Sequence, residues 1–221
     1  MTDLSTTTAP MFSKQTWSRR RIASAVGILF VVQMVSAMFG TSLIQAFVDG
    51  DTDQTSMTAG VLLMMCSGLA VVSIGLLMYP VLKDVDPSLA RWYPILRLTE
   101  CIVSAACGVH LLVQGTTVPN HLLWVYVPTG VGGIILTYLL FTSRLVPRPI
   151  ALLGLVGYAS LTLGVPLDLL GILAMDQGAG LLLLVPGGLF ELVVLPIWLI
   201  TKGFTASPTT KREALRAAAS H

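Results

Sequence analysis

The sequence predicts an all-α fold, a polytopic integral membrane protein built as a bundle of six transmembrane helices. Three observations predict it. Hydrophobic residues make up 54% of the chain and charged residues only 11%, too few charges to cover a soluble exterior. Six apolar runs recur along the chain, each of roughly the 20 residues that a hydrocarbon core about 30 Å thick demands. The basic residues, finally, fall in alternate connecting segments, the distribution described by the positive-inside rule.

Taken in order, residues 1–20 form a polar tail rich in Thr and Ser, read as disordered and cytoplasmic because it has no apolar face to bury. Ser18-Arg19-Arg20-Arg21-Ile22 has the look of a twin-arginine export signal. The apolar run behind it, 22–48, is much longer than a signal core and lacks a convincing small-x-small cleavage site, so it is expected to stay as the first helix. Further spans are placed at 57–82, 92–114, 121–142, 149–173 and 180–204, which makes 21–204 the six-helix transmembrane domain and 205–221 a cytoplasmic carboxy-terminal tail. The connecting segments leave no room for a separate soluble domain.

Threading the spans alternately puts Lys14, Arg19, Arg20, Arg21, Lys83, Arg91, Arg144, Arg148, Lys202, Lys211, Arg212 and Arg216 on one side. The opposite loops hold Asp49, Asp51, Asp53 and Asp176 and no basic residue. Both termini are therefore expected in the cytoplasm. Trp92 and Tyr93 on the inner side, and Trp124 and Tyr126 on the outer, occupy positions of interfacial aromatic belts. The pairs Ser36-x-x-x-Gly40, Ser104-x-x-x-Gly108 and Ser160-x-x-x-Gly164 offer close backbone approach between helices, a spacing that also arises by chance among 20 glycines. Two halves of three spans would be inverted relative to each other, yet no internal repeat is visible.

The small net charge of +2 and the lack of a basic face interleaved with aromatics exclude nucleic acid as a partner. Cys66, Cys101 and Cys107 fall within apolar spans and read as packing residues. His110 with His121 is too little for a metal site, and no phosphate-binding loop, H-E-x-x-H or G-x-S-x-G occurs. No cofactor is expected.

What remains is charge inside the membrane. Arg97, Glu100, Cys101, Ser104 and Gly108 follow i, i+3, i+4, i+7, i+11 spacing and form one helical stripe expected to face the bundle interior. A charge at the bilayer centre costs roughly 2.5 to 3.5 kcal/mol, so each needs a partner. For Arg97, counted about 6 Å inward from Tyr93, one reading is snorkelling to the cytoplasmic headgroups with Glu100 as intrahelical partner; the other is a place in an interior site. Glu191 lies about 15 Å from Thr201 by the same ruler, too deep to snorkel. Pro186-Gly187-Gly188 precedes it and Pro196 follows, loosening the helix on both sides of the carboxyl. It reads either as a ligand or ion site or as a structural carboxyl bonded to a neighbouring helix, and side-chain directions suggest that it and Arg97 diverge. Asp168, two residues after Pro166 near the outer end of the fifth span, reads as a hydrated terminus.

Arg97-Leu-Thr-Glu100, Leu140-Phe-Thr-Ser-Arg144-Leu-Val-Pro-Arg148, Gly154-Leu-Val-Gly157-Tyr158, and Gly187-Gly188-Leu-Phe-Glu191 continuing to Trp198-Leu-Ile-Thr-Lys202-Gly203-Phe204 together resemble a bacterial six-span membrane family known only as domain of unknown function 4386. The resemblance extends over roughly 20–204. It implies a fold and a membrane location and assigns no catalytic role.

The leading expectation is a multi-pass protein of the bacterial inner (cytoplasmic) membrane whose third, fourth and sixth helices enclose a polar cavity containing Arg97, Glu100, Arg144 and Glu191, with Ser104 on the same stripe. It would bind or transport a small amphiphilic molecule or solute. Its partners would be the lipid bilayer, that ligand, and a second membrane chain, whether its own copy or another. The rivals are a membrane-embedded enzyme acting on a lipid-soluble substrate, with Glu191 as general acid or base, and an accessory subunit without a ligand.

Overall fold

In a computed structural model of the chain, which describes residues 19–175 and 177–205, every regular element is helical. The tails, with Lys14, Lys211, Arg212 and Arg216, and Asp176 in the fifth-to-sixth connection lie outside the described residues. The spans are α1 (Arg19–Val48), α2 (Gln54–Leu82), α3 (Pro87–Gln114), α4 (His121–Ser143), α5 (Arg148–Leu169) and a composite sixth span (Gly178–Thr201). All six are long and apolar enough to cross a membrane, so the chain is a multi-pass membrane protein.

Short polar signals at the helix starts set boundaries that the hydrophobic runs alone misplace. Asp53 caps α2 by accepting a hydrogen bond from the Ser56 N–H at 3.0 Å, and Asp86 caps α3 by accepting from Ser88 and Leu89. With Pro87 preset at the first helical position, α3 begins five residues before the expected Trp92. At the other end of the bundle α5 stops at Leu169, short of the expected 173, because Gly171 adopts φ +68° and the Asp168 carboxylate accepts the Met175 N–H at 2.6 Å. Asp168 thus organises a turn, not merely a hydrated terminus.

The helices pack in chain order, each on the next, and the sixth span returns to α1, so the bundle is a ring. Closure is uneven. α1 packs along Phe190–Val194 and Leu195–Thr201 of the sixth span, whereas along Leu181–Leu189 the two barely meet. Glycines permit the tight contacts: a Cβ on Gly40 would lie 3.0 Å from the Gly60 carbonyl, and one on Gly60 2.9 Å from the Gly40 carbonyl, so α1 and α2 touch backbone to backbone. Of the other small-residue pairs, Gly108 meets Val61 on α2, and Gly164 meets Met175 and Leu183. Outward faces are apolar, with Phe39, Leu69 and Val113 between 63% and 72% exposed, the surface that lipid would cover.

The basic segments converge at one end. Arg19 pairs with Asp84 at 3.0 Å, Arg20 donates to the Ile200 and Thr201 carbonyls, and the Thr205 N–H reaches the Leu145 carbonyl. The start of α1, the α2–α3 and α4–α5 connections and the end of the sixth span therefore share this end.

Candidate functional site

Three of the six helices reach one level by the same count. Arg97, Tyr158 and Glu191 each lie ten residues from the basic end of their spans, about 15 Å along a helix. The shorter depth expected for Arg97 came from taking Tyr93 as an interfacial marker. Tyr93 is instead fully buried beneath the guanidinium, with the Arg97 Cζ 5.2 Å from its ring centroid. Tyr126 likewise turns inward to line a cavity, while Trp92 and Trp124 are exposed as belt residues would be.

Arg97 does not snorkel. Only 1% of it is exposed, because its three neighbours hold it inside. Its Nη1 donates to Glu100 Oε2 at 2.8 Å, and its Nη2 donates to the Tyr158 hydroxyl at 3.3 Å and lies 3.8 Å from Glu191 Oε1. The Tyr158 hydroxyl in turn donates to Glu191 Oε1, and Gln33 Nε2 on α1 donates to Glu191 Oε2 at 2.9 Å. The expected divergence of Arg97 and Glu191 is thus overturned: the two helices are level, and Tyr158 stands between the charges. Glu100 is the expected intrahelical partner of Arg97.

Local sequence explains why the carboxyl sits there. Residues Phe190–Val194 are π-helical, with the Leu195 N–H bonded to the Phe190 carbonyl five residues back. Pro196 has no N–H for Leu192 in an α register or for Glu191 in a π register, and the chain widens at that turn. The loosening expected around Glu191 is present. On α5, a Cβ on Gly157 would collide with Gly187 N, so the sixth span can lie directly on α5. On α4, a Cβ on Gly133 would collide with the Tyr158 ring; its absence is the slot through which Tyr158 reaches the charges.

Beside this network lies a cavity of roughly 350 Å³, lined from all six spans. Its polar lining includes Gln33, Ser67, Glu100, Ser104, Thr129 and Glu191. Thr41, Tyr126 and Tyr158 also line it, and the rest of the wall is apolar, including Met34, Met64, Val71, Leu161 and Leu184. Thr41, Met64, Ser104, Leu122 and Val125 also line a second cavity of about 110 Å³ that continues to His121 and Val118 at the end away from the basic segments.

Four of the five expected site residues come together: Arg97, Glu100, Glu191 and, along the wall, Ser104. Arg144 does not. α4 ends at Ser143, and Arg144 takes φ 56° as its exposed C-cap, a position fixed at the basic end and far along the helix from the cavity. The enclosure is also wider than the third, fourth and sixth helices expected, since α1 supplies Gln33, α2 Ser67 and α5 Tyr158.

The family model described as Domain of unknown function (DUF4386) matches residues 25–118 and 109–203. The chain belongs to this family. Every residue of the DUF4386 network, from Gln33 to Glu191, falls within the matched segments. No curated protein and no solved structure matches the chain significantly.

Proposed function

We propose that this DUF4386 protein binds a small amphiphilic molecule inside the membrane. The observation that carries the reading is the cavity itself, roughly 350 Å³ with an apolar body and a buried ionic network at one end. Small-molecule sites are typically concave, mostly apolar and equipped with a few convergent polar groups, in a size range beginning at about 300 Å³. A hydrocarbon portion would lie along Met34, Leu161 and Leu184, and a polar head would face Gln33, Glu100, Ser104 and Glu191.

The weak packing of α1 against Leu181–Leu189 supports a lateral route, because Met38 of α1 and Leu183 of the sixth span both border the cavity at that gap. A bilayer-borne molecule enters there without crossing the basic end, where α1 and the sixth span are tied by Arg20. By the positive-inside rule that tied end faces the cytoplasm of a bacterial inner membrane, and the gap belongs to the outer leaflet.

The test is native mass spectrometry of the protein purified in mild detergent, beside Gly188→Leu. A Cβ on Gly188 meets nothing within 4 Å, and Gly188 lines the cavity, so a leucine there starts its side chain into open cavity space. A discrete bound molecule in the wild type that is lost in Gly188→Leu is the expected result. Identical spectra with and without the plug would sink the reading.

A further inference from the structure

The cavity has a sign. Glu100, Glu191 and Gln33 line it, whereas Arg97, the one cation of the network, stands behind them at 1% exposure with both Nη atoms turned to Glu100, Tyr158 and Glu191. Tyr158 also lines the space, but its hydrogen is committed to Glu191. Gln33 is 7% exposed, its Nε2 is committed to Glu191, and its Oε1 has no hydrogen-bond partner among the described residues. The charged groups on this wall are therefore carboxylates, and beside them the Tyr158 hydrogen and a Gln33 N–H are committed to Glu191, while the Ser67 and Ser104 hydroxyls that also line the cavity can donate or accept. With Arg97, Glu100 and Glu191 charged, the network holds two carboxylates against one guanidinium.

From this arrangement we propose that the ligand's polar head is a single ammonium group and that the molecule is an alkylammonium-type cationic amphiphile. An ammonium brings N–H donors and one positive charge, the complement of two carboxylates that leave one negative charge in excess of the sheltered guanidinium. A carboxylate or phosphate head would meet Glu100 and Glu191 first and find Arg97 sheltered behind them. A bare inorganic cation would leave the apolar walls formed by Met34, Met64, Leu161 and Leu184 without a role. His121 lines the second cavity, where its ring meets the Val118 carbonyl, and not this one. The assignment rests on the amphiphile reading above and deepens it.

The experiment uses the full chain in nanodiscs of zwitterionic phospholipid, with octylammonium, octanol, octanoate and methylammonium as probes and saturable binding as the readout. Gly188→Leu supplies the background. Octylammonium is expected to bind at least tenfold more tightly than octanol, octanoate and methylammonium, and to lose about tenfold in Glu191→Gln and, separately, in Glu100→Gln, each of which leaves the site neutral. Two variants on different helices guard against the failure of either one to fold. If octanol binds as well as octylammonium and neither Gln variant changes it, the ammonium assignment is overturned and the amphiphile reading survives. Preference for octanoate overturns it likewise, and methylammonium matching octylammonium would make this a bare-cation site. If no probe binds above the Gly188→Leu background, both readings fall together.

Discussion

Tyr158 holds Arg97 and Glu191 together through one oxygen, accepting from the guanidinium at 3.3 Å and donating to the carboxylate. Charges on α3 and the sixth span, 3.8 Å apart at their closest, are thereby joined through a phenol on α5. Tyr158→Phe keeps the ring against Gly133 and removes the bridge. Leaving buried polar groups short of a partner costs typically about 1 to 3 kcal/mol, whereas hydrogen bonds between membrane helices measure nearer 0.6. A double-mutant cycle with Glu191→Gln should therefore give a coupling of about 0.5 to 1.5 kcal/mol. Additive losses would show that the hydroxyl does not join these helices.

Arg97 serves two carboxylates, and its removal should cost more than the loss of either. Arg97→Leu leaves Glu100 and Glu191 buried without their cation, and breaking buried pairs typically costs about 3 to 5 kcal/mol. Adding Glu100→Gln should recover part of the loss, and adding Glu191→Gln as well should recover more. Thermal unfolding of the three proteins in one detergent is the measurement. Equal midpoints for the single and double variants would remove Glu100 as the partner.

The membrane fold was legible because bilayer thickness and loop charge act on whole segments, and no local error disturbs them. Arg97, Glu100 and Glu191 were legible for a related reason: ionisable residues in apolar spans stand out. Gln33 and Tyr158 were not, since a neutral amide and a phenol in an apolar helix carry no charge to count. Arg144 was misplaced because a basic residue at a span end looks alike in sequence whether it caps a helix or turns inward. The ruler started from Tyr93 failed for the same kind of reason, aromatic character being shared by interfacial and buried tyrosines. Asp86-Pro87 carried the true start of α3 as a capping signal, which hydrophobicity alone overlooks.

The positive-inside rule, applied to the basic residues gathered at one end of the bundle, predicts the orientation. A reporter fused after His221 should read cytoplasmic, and one inserted at Asp51, in the α1–α2 turn, should read periplasmic. The opposite pair of readings would invert the bundle and move the gap between α1 and the sixth span to the inner leaflet.

Asp53 gives the α2 cap a pH signature. The Ser56 N–H and hydroxyl bonds to its carboxylate hold its pKa below the ordinary 3.8. A carboxyl depressed in the folded state adds stability that is fully present above its unfolded pKa and disappears as pH falls through the folded value. The Asp53→Asn difference in unfolding midpoint should therefore be flat from neutral pH down to about 5 and shrink only below about 4. A difference that changes between pH 6 and 8 would point to another group.

The contact that sets the geometry of the whole site is Gly157 on Gly187, where α5 and the sixth span meet backbone to backbone. Gly157 precedes Tyr158, and Gly187 lies one turn before Glu191, so any separation of these backbones separates the hydrogen-bonded pair. Gly157→Ala places a methyl where the Gly187 nitrogen and Cα now sit, and neither is the movable end of a side chain. Overpacking of this kind costs typically about 1 to 3 kcal/mol. Gly188→Ala, one residue along and facing open cavity space, is the matched control and should be nearly neutral. If Gly157→Ala unfolds no earlier than this control, the close approach of α5 and the sixth span is not what positions Tyr158 against Glu191.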